Sequence, residues 1–154
     1  MENGKKRVFT RMCLIAWGIP VVLLAFMAFM EFSPWKAEGA HVNRLTLNLA
    51  AAGLAAAGLA AWAFFTLYLY RRLWKVFPYV GRGEKAWTYA EGVFGLQGVG
   101  ASMSSVLGIF LYLFGGGFWR AVILASLSLL LAAVETARFP LRAAEVEDLL
   151  KGVE

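Results

Sequence analysis

Charged residues cut the chain into long apolar runs. Residues 12–30 carry no charge, and neither do residues 45–70. A third uncharged run covers 92–114 and holds Gln97, Ser102, Ser104 and Ser105. The fourth is uncharged only over 121–134; it reaches 118–139 if Arg120 and Arg138 stretch toward the two interfaces. A bilayer core of about 30 Å takes about 20 apolar residues in helix. The pattern therefore predicts an all-α integral membrane protein with four transmembrane helices, over about 12–30, 45–70, 92–114 and 118–139. Residues 1–11 read as a basic N-terminal tail. Residues 140–154 read as a short C-terminal tail, because Pro140 predicts the end of the fourth helix.

Lys5, Lys6, Arg7 and Arg11 precede the first run, as they would in a signal peptide. Its apolar core is longer than such peptides use, and Ala37-Glu38-Gly39-Ala40 puts a carboxylate where cleavage wants a small residue. A retained anchor is the reading taken. Basic residues then set the expected orientation. The N-tail, the second connection and the C-terminal end carry 12 of the 15 Lys and Arg, leaving Lys36, Arg44 and Arg120 for the other side. That asymmetry predicts an up-down bundle in the cell membrane with both termini cytoplasmic. Trp35, Trp74, Phe77, Tyr79 and Trp119 fall where an interfacial aromatic belt is expected.

Composition agrees with this picture and narrows the chemistry. The chain is 60% hydrophobic and 16% charged, against about half and a quarter in soluble domains. Cys13 alone excludes a disulfide framework and a dithiol relay, and His41 alone excludes bis-histidine haem ligation. None of the apolar runs contains Asp, so an intramembrane aspartate pair cannot be built. Gly81-Arg82-Gly83 is too short for a phosphate loop or a dinucleotide motif. An enzyme is not expected, and no cofactor or metal is implied. The five basic residues between Arg71 and Lys85 read as an ordinary positive-inside loop facing the lipid bilayer, not as a nucleic-acid surface.

Small residues predict how the helices meet. Ten of the twelve residues from 50 to 61 are Ala or Gly, which either allows close helix contact all round or reflects a general alanine bias. On the third run Gly100, Ser104 and Gly108 recur every four residues and share one face, a helix-packing pattern that names no partner. Gly115-Gly116-Gly117 permits an abrupt reversal, so the third and fourth helices should form a hairpin. Pro20 interrupts the first helix and is expected to kink it.

Glu135 is the one carboxylate at membrane depth, where an ionisable group is costly and is a functional candidate by default. The plainer reading pairs it with Arg138, three residues on along the same face. Gln97 and Glu135 each lie nineteen residues from Gly116, which in straight helices puts both about 28 Å from the turn. Ser104 and Ser128 match in the same way. A polar seam of Gln97, Ser104, Ser128, Glu135 and Arg138 is thereby allowed. Two functions stay open. The first is a non-catalytic accessory, assembly or anchoring subunit that packs against other membrane subunits or itself. The second is a small oligomeric transporter or channel for protons or small cations, using Glu135 and Gln97.

Overall fold

A computed structural model describes residues 2–33, 43–76 and 84–151 of the chain. Trp35, Lys36, His41, Phe77, Tyr79 and Gly81-Arg82-Gly83 lie outside the described residues. The chain forms α1 (Glu2–Phe32), α2 (Arg44–Ala63), a π-helical segment (Phe64–Leu69), α3 (Tyr70–Trp74), α4 (Glu84–Leu113) and α5 (Phe118–Lys151), with no strand among the described residues. Four stretches, Asn3–Phe32, Arg44–Arg72, Lys85–Leu113 and Phe118–Asp148, are long and apolar enough to cross a membrane. Four such spans fit a multi-pass membrane protein.

The reasons these helices start and stop are local. Asn43 caps α2 by accepting from the Leu45 amide at 3.0 Å. The α4–α5 turn places Gly115 and Gly117 at φ of 79° and 85°, a region L side chains seldom enter. The first and last helices are both longer than the sequence predicted. Residues 2–11 are the opening turns of α1, and Val8 and Met12 are buried there. Pro140 lies inside α5, which continues to Lys151. Proline removes a single ladder bond. The apolar residues beyond it compensate, because Phe139, Ala143 and Val146 bury one stripe against Val8, Met12 and Trp87. α1 likewise runs on through Pro20.

α4 is the hub. It packs along α1 and α5 and more narrowly on α2. Arg11 meets Glu91 and Tyr112 meets Glu31, so α1 and α4 run side by side in the same direction. Ser105 meets Ser128, so α5 runs opposite to α4. Three layers of core follow the long axis. Phe94, Phe139 and Val146 anchor one end, Ala16, Ala101 and Ala132 the middle, and Met27, Tyr112 and Ala121 the turn end. Alanines from α1, α4 and α5 meet in the middle layer beside Leu131, and their small side chains allow close approach. Polar links tie the ends: Glu91 takes Arg7 at 3.1 Å and Arg11 at 2.7 Å, Lys5 meets Glu147 at 3.1 Å, and Asn48 accepts from Arg120 at 2.8 Å. The outward surface carries Leu14, Val22, Phe29, Leu49, Ile123 and Leu130, all exposed and apolar.

α2 touches the bundle at one tight point. A Cβ built on Gly58 would stand 2.0 Å from Ser104 Oγ and 3.1 Å from Ser104 Cα, so only glycine lets α2 sit this close to α4. Gly58 is the single buried residue of α2.

Candidate functional site

The deepest charged group is Glu135, fully buried on α5. Both of its oxygens are occupied. Arg142 Nη1 donates to Oε2 at 2.6 Å, Trp62 Nε1 donates to Oε1 at 2.9 Å, and Thr66 Oγ1 reaches Oε1 at 3.4 Å. Arg142 Nη1 also donates to Gln97 Oε1 at 2.5 Å, so the guanidinium bridges α4 and α5. Its Cζ lies 4.8 Å from the centre of the Tyr70 ring, a cation–π arrangement, and the Tyr70 hydroxyl donates to Glu145 at 3.1 Å. Arg138 stands further off, 3.9 Å from Oε1, with its own Cζ 5.7 Å from the Trp62 ring. Four side chains thus reach the Glu135 carboxylate, and Gln97 and Tyr70 join the cluster through Arg142.

The backbone explains the convergence. Trp62, Thr66 and Tyr70 are spaced by four, and in an uninterrupted α-helix such residues drift steadily around the axis. The π-helical turn over Phe64–Leu69 is wider, with i to i+5 bonding, and takes up that drift. All three side chains therefore face α5. On α5, Glu135 and Arg142 are seven residues apart, two turns along the same face.

A buried carboxylate is stable only when paired and further hydrogen-bonded, and here it is both. Chemically the arrangement holds a charge in place. Among the described residues no group of His, Cys, Asp and Glu is arranged to hold a metal ion. The two hydroxyls in the cluster are both engaged, Thr66 with Glu135 and Tyr70 with Glu145.

The residues singled out from sequence are placed as follows. Gln97 and Glu135 share the cluster, joined through Arg142 and not by a direct contact. Arg138 is at its edge, with the side chain 44% exposed, and is the weaker of the two arginine partners. Ser128 accepts from the Ser105 amide at 2.7 Å, nearer the turn. Ser104 Oγ is buried without a partner and faces Gly58, so it lies apart from the cluster. The seam is therefore two separate features. Gly100 backs onto Phe65, while Gly108 meets Ala121 and Leu124, so the small-residue face divides between the α2 and π-helical stretch and α5. Sequence reasoning missed Trp62, Thr66, Tyr70 and Arg142. The i, i+4, i+8 row of hydrogen-bonding residues on an otherwise apolar helix was a usable signal. Arg142 was hidden by reading Pro140 as a stop.

No family model, no curated protein and no solved structure matches this chain.

Proposed function

We propose that the chain is a non-catalytic, multi-pass protein of the cell membrane, with both termini cytoplasmic, that acts as an accessory, assembly or anchoring subunit of a larger membrane complex. The observation that carries this reading is the outward face of α2. Ala52, Gly53, Ala56, Ala57 and Ala60 are all exposed and small, on the long helix least engaged with its own bundle. Lipid gives helices no hydrophobic reason to associate, so close approach through small residues is the main route to a stable helix pair. The closure of Glu135 by Arg142 supports the same reading over a cation path, since the carboxylate and the Gln97 carbonyl are already bound to a fixed cation.

The test is purification in mild detergent with measurement of mass and co-purifying proteins. A heteromeric complex that falls apart in Gly53→Leu/Ala57→Leu, with the chain itself still folded, is the expected result. A lone monomer would refute the subunit reading. A defined homo-oligomer that passes ions in liposomes would replace it with the transporter.

A further inference from the structure

Most basic residues of known position at the Glu91 end of the bundle are matched by carboxylates: Lys5 by Glu147, Arg7 and Arg11 by Glu91, and Arg142 by Glu135. Three are not. Arg71, Arg72 and Lys75 are exposed and have no acidic partner among the described residues. Arg71 and Arg72 close the second candidate span, and Lys75 lies just beyond it. With Leu67 and Tyr68 they line a cavity of about 590 Å³. The spacing 67, 68, 71, 72, 75 keeps all five on one helical face.

The site has a polar and an apolar part. Arg72 Nη1 donates to the Tyr68 hydroxyl oxygen at 3.2 Å, which leaves the phenol O–H free to donate to a ligand. Two guanidinium groups, an ammonium and a phenol then offer donors and no carboxylate acceptor. That set suits a phosphate: Arg binds its oxygens in pairs, and Lys adds a point charge. Toward the middle of the span, Phe64 and Leu67 are about half exposed and continue the same surface. A free phosphate has no use for them, whereas an acyl chain does.

We propose that Arg71, Arg72, Lys75 and Tyr68 bind the phosphate headgroup of an anionic glycerophospholipid, with its acyl chain lying along Leu67 and Phe64. The site is distinct from the Glu135 cluster and from the small-residue face of α2. It rests on the chain's lying in a membrane, as the proposed function also requires.

The experiment begins by floating the full chain with phosphatidylcholine vesicles that contain a minor fraction of phosphatidylglycerol. A chain that does not co-float fails the membrane reading itself. The lipids that stay bound are then counted by native mass spectrometry. Phosphatidylglycerol should be enriched over phosphatidylcholine, and Arg71→Gln/Arg72→Gln should lower that enrichment about thirtyfold, the effect of losing two basic contacts near an anionic leaflet. Arg44→Gln/Lys85→Gln removes the same charge from two other exposed positions and should leave the enrichment nearly unchanged. Equal losses in the two variants would mean that net charge alone draws the lipid, and would overturn the site. Absence of enrichment in the unaltered chain would do the same. Excess inorganic phosphate should not displace the lipid; if it does, the site takes free phosphate and the lipid assignment is wrong.

Discussion

Removing Arg142 tests the central geometry directly. In Arg142→Gln the carboxylate of Glu135 stays buried and keeps Trp62 and Thr66, but loses the nearer of its two cations, 2.6 Å away, and is left with Arg138 at 3.9 Å. Stranding one member of a buried pair costs about 3–5 kcal/mol. For a chain of this size that lowers the unfolding midpoint on the order of 10 °C. Glu135→Gln should cost less. The stranded guanidinium still has the Gln97 oxygen and the Tyr70 ring, and its side chain is 12% exposed at rest. The double variant Glu135→Gln/Arg142→Gln leaves no buried charge, so it should be more stable than Arg142→Gln alone. Thermal unfolding in detergent, followed by circular dichroism, gives all three values. Arg138→Gln is the internal comparison: at 3.9 Å and 44% exposed it should cost at most about 1 kcal/mol. If Arg138→Gln costs as much as Arg142→Gln, or if the losses at Glu135 and Arg142 simply add, the Arg142 bridge is not what holds the cluster.

Other consequences follow from single contacts. Gly58→Val places side-chain atoms where Ser104 already stands, so it should destabilise by about 1–3 kcal/mol, and Ser104→Gly in the same chain should recover part of the loss; an unchanged unfolding midpoint would mean that α2 is not seated on α4. Glu91→Gln removes the shared partner of Arg7 and Arg11, whose side chains are 45% and 61% exposed, so the expected loss is about 1 kcal/mol and should shrink as salt is raised. A loss that is large and insensitive to salt would place Glu91 in a drier setting than this. For the proposed orientation, Ser33→Cys and Lys75→Cys in a Cys13→Ser background should react with an impermeant thiol reagent from opposite sides of the membrane. Reaction of both from one side would refute the alternating topology.

Much of the fold could be read from charge and apolarity alone. The four apolar runs became the four long helices, because a run of that length has few ways to satisfy its backbone except as helix. The glycine turn was equally legible, since positive φ at Gly115 and Gly117 is a local property. What escaped was set by tertiary contact. Pro140 looks like a stop until Ala143 and Val146 are seen to bury against α1 and α4. The equal-depth arithmetic brought Gln97 and Glu135 to one level, but depth does not give azimuth. It therefore could not reveal that a third residue, Arg142, stands between them. Nor does any local rule call for the π-helical turn that aligns Trp62, Thr66 and Tyr70.

The position of the cluster has a physical logic that links these points. A helix as rich in Ala and Gly as α2 can slide or rotate against a neighbour at little cost, because its surface is nearly featureless. Gly58 fixes how near α2 comes to α4, but small residues on every side leave other registers available. The bonds from Trp62 and Thr66 to Glu135, one turn and two turns further along, exist in a single register. A slip of one residue would leave a buried carboxylate short of donors, at a cost larger than any loss among alanines. Buried polar contacts add little net stability over apolar packing. Here they select one arrangement of α2 against α4 and α5, and so fix which of its faces is turned outward.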